Sequence, residues 1–368
     1  MTTPALVREP ASLAPVGAAR RLTFRAVRPH LGTAAGVAII AVLLWRLGTG
    51  VFLDGLRRID TPTLVIGLAI GAVTTVLSAW RWQLVARSLG LRLPLGPAVG
   101  DYYRALFLNA ALPGGVLGDV HRAVRHGQSE GDIGRGVRAV VLERAAGQIA
   151  LTVFGAAALL VLPSPVRDQA RDFAPLAAAG LVGACAVVAA VRMNRAPGRR
   201  AGALRATLAE ARRALLSRRS GPGVALSSAA ILAGHVVMFV VAARVAGSAA
   251  SVAALTPIAV LALVAMGLPL NVGGWGPREG VTAWAFAAAG LGADRGLATA
   301  VVYGVLSFVA ALPGLVVLVV RWIAALRYSR AEVSSSKTAP KESARLARSS
   351  FPFSADPREG RPMTPDSV

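Results

Sequence analysis

Long apolar stretches recur along the chain at lengths that suit membrane crossing. A transmembrane helix needs about 17 to 25 consecutive apolar residues, because the hydrocarbon core of a bilayer is about 30 Å thick. Two further apolar pieces, at 98–112 and 281–293, are shorter than this. The runs of spanning length occupy residues 31–47, 63–80, 139–162, 174–191, 224–246, 253–271 and 297–320. This pattern predicts an all-α polytopic membrane protein.

The arginine content of the connecting segments predicts which side of the membrane each one faces. Short loops rich in Arg and Lys stay in the cytoplasm, whereas poor or balanced loops face outward. The arginine-dense segments are the N-terminal tail, 81–92, 119–138, 192–219 and the chain from 321 onward. The poor or balanced segments are 48–61, 163–173 and 247–256. The sequence thus predicts a multi-pass protein of the cell (plasma) membrane with both termini in the cytoplasm.

Two segments do not fit a simple sequence of crossings. The piece at 98–118 has predicted cytoplasmic loops on both sides, so it must enter the membrane and return. The region 253–296 starts outside and must be outside again before the last helix, so it either re-enters or crosses twice with an interrupted second span. The predicted fold has about six full transmembrane helices plus two re-entrant hairpins broken by Gly and Pro, arranged as inverted repeats.

Composition changes at both ends of the membrane domain, which we place at 31–325. Residues 1–30 are basic and rich in Pro and Ala, and residues 329–368 are rich in Ser, Pro and charge. Both predict disordered tails, because they hold little apolar surface to bury. Within the domain, 195–222 places leucines near one helical face among arginines. This predicts a basic amphipathic helix on the cytoplasmic surface, against anionic headgroups.

The strong positive charge of the chain does not imply nucleic-acid binding. The formal net charge is +22, and hydrophobic residues make up 55% of the sequence. Because the arginines collect in loops and tails, membrane orientation explains them, and membrane lipids are the expected partners. The single cysteine, Cys185, lies in an apolar run, and His121 and His126 lack a metal-binding spacing. The sequence predicts no metal site and no cofactor.

Two Gly/Pro motifs interrupt apolar runs, one in each half of the chain. Non-helical backbone at membrane depth is tolerated only where protein or a water-filled cavity satisfies its polar groups. Paired interruptions in two halves therefore indicate a substrate site between opposed repeats. The first motif, LPGGVLGDVHR at 112–122, contains Pro113, Gly114, Gly115, Gly118, Asp119 and Arg122. The second, PLNVGGWGPREG at 269–280, contains Gly273, Gly274, Gly276, Arg278 and Glu279.

The motifs combine groups that suit an anionic headgroup. The N-terminus of a broken helix presents N–H groups and partial positive charge, which favour a phosphate or a carboxylate. Arg122 and Arg278 can add charge-assisted hydrogen bonds, while Asp119 and Glu279 either pair with them or exchange protons. The alternative is that both motifs are interfacial turns between ordinary helices, with their charges in the headgroup layer.

Further ionisable residues lie inside the predicted spans. Glu143 and Arg144 open the span at 139–162 within a turn of the cytoplasmic face, so they either form a secondary part of the site or snorkel to the interface. Arg81, flanked by two tryptophans, is predicted to be an interfacial anchor. His235, alone in an apolar helix, is predicted to be a packing residue rather than a proton carrier.

At these motifs the chain resembles the lysylphosphatidylglycerol synthase transmembrane region family, whose members are also described as flippase-like integral membrane proteins. The family's P-G-G-x-G-G-D-like element is similar to Pro113 through Asp119, and its G-G-x-G-x-R-E element to Gly273 through Glu279. VLERAAG at 141–147 is similar to a third family patch. The likeness spans residues 30–325. The departures that affect the expected pocket shape are Val116, Leu117, Trp275 and Pro277.

The resemblance implies a lipid translocase that moves an anionic or aminoacylated phospholipid, or a polyprenyl-phosphate lipid, between leaflets. The low-complexity residues after the last helix do not suit the cytosolic aminoacyltransferase domain of two-domain members, so a transporter is expected rather than an enzyme. Two alternatives stay open. One is a membrane glycosyltransferase with a polyprenyl-phosphate donor and a catalytic carboxylate at the outer face. The other is a small-solute or proton-coupled transporter. The candidate outer carboxylates are Asp54, Asp60, Asp168 and Asp172.

Overall fold

The computed structural model describes residues 41–42, 45, 49–112, 115–162, 209, 211–215, 217–267 and 275–338. The predicted tail 1–30 and the predicted span 174–191 lie outside these residues. Most of the predicted span 31–47 and of the predicted amphipathic helix 195–222 also lies outside them.

The described residues form ten α-helices with assigned bounds, are also helical at 41–42, 45, 209 and 211–215, and form no strand. In chain order the ten helices are α1 (Thr49–Arg57), α2 (Thr61–Ser88), α3 (Leu95–Ala111), α4 (Leu117–Ser129), α5 (Ile133–Val161), α6 (Gly221–Val245), α7 (Val252–Met266), α8 (Pro277–Ala288), α9 (Ala293–Ala311) and α10 (Pro313–Thr338). The chain divides into two compact units, Met1–Leu318 and Val319–Val368. The second unit is described as far as Thr338, where α10 ends within the segment 329–368.

Four helical stretches among the described residues are long and apolar enough to cross a membrane. They are Thr61–Ser88, Ile133–Val161, Gly221–Val245 and Ala293–Ala324, and each contains or overlaps one of the predicted apolar runs. Helix α7 is apolar but shorter. The prediction of an all-α polytopic membrane protein is therefore confirmed.

Local sequence explains where two of these spans begin. Asp60 precedes α2, and its Oδ1 accepts a hydrogen bond from Thr63 N at 2.9 Å. Hydrogen bonds from Thr63 also hold the pKa of Asp60 below its usual value. Asp132 precedes α5 and accepts from Arg135 N at 2.9 Å. An N-cap carboxylate satisfies N–H groups that have no partner in the first turn. Asp60, one of the candidate outer carboxylates, thus has a structural role.

The predicted hairpin at 98–118 contains most of α3 but only the first two residues of α4, whose remainder lies in the predicted loop 119–138, whereas the region 253–296 contains nearly all of α7 and the whole of α8. Helix α3 packs against α4, and α7 packs against α8. Glycines in left-handed conformations occur at both breaks, with φ of 61° at Gly115 and 112° at Gly276. Residues with a side chain rarely adopt such angles. Pro277 then begins α8, a position at which its missing N–H costs no intrahelical hydrogen bond.

The two halves of the chain repeat one helix pattern at a constant spacing. Corresponding helices begin at Thr61 and Gly221, at Leu117 and Pro277, and at Ile133 and Ala293, and each pair is 160 residues apart. The acids of the two motifs, Asp119 and Glu279, have the same separation. Helix α4 packs on α5 as α8 packs on α9, and α2 packs on α3 as α6 packs on α7. Helices α2 and α6 pack against each other. These relations indicate an internal structural repeat.

Matching glycines allow the second hairpin helix to approach the following span in both repeats. A Cβ on Gly136 would lie 2.6 Å from Gly127 Cα, and a Cβ on Gly296 would lie 2.7 Å from Phe286 Cβ. We expect Gly136→Ala and Gly296→Ala each to lower the free energy of unfolding by about 1 to 3 kcal/mol, because the added methyl group overpacks a close helix contact. Thermal unfolding of the purified protein in detergent measures this loss.

Gly134→Ala is the matched control for these variants. It lies on the same helix as Gly136, but a Cβ there would meet only side-chain atoms, the nearest at 3.2 Å. Its stability should change by less than about 1 kcal/mol, since alanine also improves helix propensity. Similar losses at all three positions would contradict the close-approach role of Gly136 and Gly296.

Candidate functional site: a cavity between the two motifs

A cavity of about 750 Å³ lies between the two Gly/Pro motifs, and both contribute to its wall. The first motif supplies Gly115 and Asp119, the second supplies Arg278, and α5 supplies Arg144. Most of the remaining wall is apolar and includes Leu106, Val120, Val140, Met238, Met266 and Phe308. The cavity therefore presents a few charged groups within a largely hydrocarbon-like surface.

Glu143 lies at the centre of a buried ion-pair network beside the cavity. Its side chain is 0% exposed. Its Oε1 accepts hydrogen bonds from Arg81 Nε at 3.1 Å and Arg81 Nη2 at 2.6 Å, and its Oε2 accepts from Arg122 Nη2 at 3.0 Å. The Tyr102 hydroxyl donates to Oε1 at 3.3 Å. Such bonds offset the large free-energy cost of removing a carboxylate from water.

Of the two alternatives left open for Glu143 and Arg144, the burial of Glu143, which is 0% exposed, favours a part in the site over snorkelling to the interface. Helix α5 begins at Ile133, well before the apolar run that starts at 139. Glu143 therefore lies about 15 Å along the helix axis from its first residue, at a rise of about 1.5 Å per residue. Because this part of α5 is covered by α2, α4 and α6, Glu143 is buried among helices rather than extended toward an interface.

Asp119 joins this network to the cavity wall. Its Oδ1 accepts from Arg122 Nη2 at 3.0 Å, and its Oδ2 accepts from Arg144 Nη2 at 2.6 Å and from Asn109 Nδ2 at 3.0 Å. The Oδ1 of Asn109 accepts from Gly118 N at 2.8 Å, which ties the end of α3 to the start of α4. The Gly118 N–H is thus already bonded, so the guanidinium groups are the better candidates for binding a phosphate.

Arg122 is held between two aromatic rings. Its guanidinium carbon lies 4.5 Å from the Trp82 ring centre and 4.3 Å from the Tyr102 ring centre, in cation–π geometry. Its Nε and Nη1 are buried and have no hydrogen-bond partner among the described residues. Trp82 also contacts His126 edge-on, with ring centres 5.3 Å apart. Burial lowers the pKa of His126.

The second motif forms a compact ion pair at the start of α8. Glu279 Oε2 accepts from Gly276 N at 2.7 Å, and Glu279 Oε1 accepts from both Nε and Nη2 of Arg278. The Arg278 guanidinium lies 5.0 Å from the Trp275 ring centre and 5.5 Å from that of Tyr303. Arg278 and Glu279 are each 2% exposed. The opposite charges of Arg278 and Glu279 therefore neutralise each other.

A hydrogen bond between Tyr303 and His235 connects α9 and α6 at the cavity wall. The Tyr303 hydroxyl and His235 Nδ1 are 3.0 Å apart, and both residues line the cavity. His235 is therefore a polar part of the wall as well as a packing residue. Among the described residues, no group of three or more His, Cys, Asp or Glu is placed to hold a metal ion.

The model of one protein family, the lysylphosphatidylglycerol synthase TM region, matches residues 33–314. The chain belongs to this family. The match includes both motifs and α5, and it confirms the resemblance found in the sequence. No curated protein matches the chain.

In this lysylphosphatidylglycerol synthase TM region protein, the predicted site residues occupy three kinds of position. The residues on the cavity wall are Gly115, Asp119, Arg144 and Arg278. The residues buried beside the wall are Arg122, Glu143 and Glu279. The glycines at the helix starts are Gly118 and Gly276. Pro113, Gly114, Gly273 and Gly274 lie outside the described residues.

The interfacial anchor predicted at Arg81 is wrong. Arg81 is 5% exposed, and besides Glu143 it bonds Ser228 Oγ through Nη1 at 3.0 Å. The flanking tryptophans suggested an interface, but α5 and α6 cover this part of α2. A carboxylate inside a span requires a cationic partner, so Glu143 signalled that a buried cation was needed without identifying Arg81 as that cation. Asn109 and Tyr102, which the sequence reasoning also missed, carry no comparable signal.

Proposed function

We propose that this protein is a lipid translocase in which a phosphate-bearing headgroup passes through the cavity between the two motifs while its acyl chains remain in the bilayer. The observation that carries this proposal is the composition of the cavity wall. Charged groups from both motifs and from α5 meet there, within a wall that is otherwise mostly apolar. No covalent step is required.

The cavity size and lining favour a lipid over a small polar solute. Ligand cavities in proteins commonly measure about 300 to 1,000 Å³, and 750 Å³ is large enough for a phospholipid headgroup. A small polar solute would need polar partners on most sides, because unpaired polar groups are costly to bury. A wall with valines, methionines and Phe308 suits the glycerol and upper acyl region of a lipid.

We further propose that α3 with α4, and α7 with α8, are re-entrant hairpins of two inverted repeats. Support comes from the spacing of 160 residues between corresponding helix starts and from the odd number of predicted crossings between the repeats, which would invert one relative to the other. The arginine distribution supports placing both termini in the cytoplasm and the protein in the cell membrane.

Leaflet exchange in proteoliposomes tests the translocase proposal. The assay follows labelled phosphatidylglycerol, lysyl-phosphatidylglycerol and a polyprenyl phosphate, each compared with protein-free vesicles. Wild-type protein should accelerate exchange of at least one of them. Val141 is on α5 and lines the cavity, so Val141→Trp should reduce the rate to about one tenth or less by filling the space that a ligand needs.

Val153→Trp is the matched control, because Val153 is on the same helix, is 65% exposed and is not part of the cavity wall. Its exchange rate should equal that of the wild type. If folded wild-type protein exchanged none of the three lipids faster than protein-free vesicles, or if both tryptophan variants kept full activity, the proposed function would be overturned.

A further inference from the structure

We infer that the transported lipid carries one net negative charge on its headgroup and that Arg144 binds the phosphate. This inference rests on the proposed translocase function and narrows its substrate class. It separates phosphatidylglycerol-like and similar singly anionic lipids from lysyl-phosphatidylglycerol, whose headgroup has a net charge of +1.

The charges around the cavity do not balance. Among the described residues at the site, four arginines are accompanied by three carboxylates: Arg81, Arg122, Arg144 and Arg278, with Asp119, Glu143 and Glu279. The segments 113–114 and 268–274, which complete the motifs, contain no ionisable residue. The described part of the site therefore carries one excess positive charge in mostly apolar surroundings, where an uncompensated charge is unfavourable.

The excess charge belongs to the first motif and α5. Arg278 and Glu279 form a separate neutral pair. Among the residues that the structure describes, Arg81, Arg122 and Arg144 pair only with Glu143 and Asp119. A headgroup with a charge of −1 would neutralise the described part of the site. A zwitterionic headgroup would leave the excess in place, and a headgroup with a charge of +1 would double it.

Arg144 is the member of this group that a ligand can reach. Its side chain is 43% exposed and lines the cavity, whereas the side chains of Arg81 and Arg122 are 6% and 1% exposed. Its one hydrogen bond to the described residues runs from Nη2 to Asp119. The planar guanidinium has five N–H donors, so it can bind two phosphate oxygens at once.

Arg144 can turn from Asp119 to a phosphate without leaving that carboxylate unpaired. Asp119 keeps its hydrogen bonds from Arg122 at 3.0 Å and from Asn109 at 3.0 Å. The ion pair between Arg144 and Asp119 is thus an exchangeable contact, held while the cavity is empty and replaced when a phosphate enters. Arg144 can therefore bind a phosphate with little loss of hydrogen bonding at Asp119.

The same carboxylates offer no place for the ammonium group of an aminoacylated lipid. Both oxygens of Asp119, of Glu143 and of Glu279 already accept hydrogen bonds from arginine, asparagine or backbone donors other than Arg144. An ammonium group has three donors and no acceptor. It would enter a site that is already cationic and whose carboxylate oxygens are engaged.

The experiment compares three lipids that differ in headgroup charge and share one tail label: phosphatidylglycerol, phosphatidylcholine and lysyl-phosphatidylglycerol. Wild-type protein should exchange phosphatidylglycerol at least about tenfold faster than lysyl-phosphatidylglycerol, given the usual strength of a charge-assisted hydrogen bond.

Arg144→Gln should slow phosphatidylglycerol exchange about ten- to hundredfold, and Arg144→Lys, which keeps the charge, should restore part of the rate. Arg135→Gln is the matched control: it lies on the same helix, pairs with Asp132 and does not line the cavity.

A binding measurement separates the failure of this inference from the failure of the proposed function. Short-chain phosphatidylglycerol is titrated into detergent-solubilised protein while tryptophan fluorescence is recorded, since Trp275 lines the cavity. Binding that requires Arg144, without exchange of any lipid, would overturn the translocase and retain the anion site. Exchange of lysyl-phosphatidylglycerol at or above the phosphatidylglycerol rate would overturn the inference and retain the translocase. Even if Arg144→Gln does not fold, the order of the exchange rates of the three lipids with wild-type protein still tests the inference.

Discussion

Glu143→Gln is expected to lower the free energy of unfolding by about 3 to 5 kcal/mol, the usual loss when one partner of a buried ion pair is removed. Glu143 is fully buried and accepts from Arg81, Arg122 and Tyr102. Glutamine has one acceptor oxygen, and its NH₂ group would face an arginine donor. The two guanidinium groups would then remain buried without their shared counter-charge, while the shape of the side chain would hardly change.

Unfolding of the purified protein in mixed micelles, followed by circular dichroism, measures this loss. Glu130→Gln is the control, because Glu130 is exposed and accepts one hydrogen bond from Arg92 N at 3.2 Å. The control should change the free energy of unfolding by less than about 0.5 kcal/mol. In the double variant Glu143→Gln/Arg122→Gln, part of the loss should be recovered, since one uncompensated cation is also removed. Equal stability of Glu143→Gln and Glu130→Gln would refute the network's structural role.

Gly118→Ala should lower the free energy of unfolding by at least about 3 kcal/mol, at the upper end for overpacking. A Cβ at this position would lie 2.1 Å from the carbonyl oxygen of Ala105 and 2.7 Å from its Cα. Because these atoms belong to the backbone of α3, no rotamer change can make room, and the two helices of the first hairpin must separate. The separation would also weaken the hydrogen bond from Gly118 N to Asn109 and so disturb Asp119.

Gly96→Ala provides the comparison within the same helix pair. A Cβ on Gly96 would have no heavy atom within 4 Å outside its chain neighbours. The gain in helix propensity, up to about 1 kcal/mol, is then opposed only by the preference of a residue before proline, here Pro97, for extended backbone. Gly96→Ala should therefore be nearly neutral in the same mixed-micelle unfolding experiment. If Gly118→Ala retained wild-type stability, the close contact between α3 and α4 would be refuted.

Much of the membrane organisation could be predicted because its physical basis is local. Apolar length decides whether a helix can cross a bilayer, and four predicted runs coincide with membrane-length helices in the described residues. Clusters of Gly and Pro favour helix ends, and the breaks around Gly115 and Gly276 occur within the two motifs. An isolated proline need not end a helix, since Pro257 lies inside α7. The spacing of 160 residues between Asp119 and Glu279 was also present in the sequence, although only the helix starts show that it extends over whole repeats.

The sequence by itself determined the helical membrane class, the positions of the two breaks and the family, because apolar length, Gly/Pro content and motif spacing act along the chain. Only the tertiary structure decided which ionisable side chains are partners. Glu143 is 62 residues from Arg81 and 21 residues from Arg122, and neither separation has a local pattern. Whether Arg81 reaches an interface or the interior depends on the helices packed around α2. Burial and charge compensation arise from residues that are distant in the chain. Burial and charge compensation together determine the chemistry of the cavity.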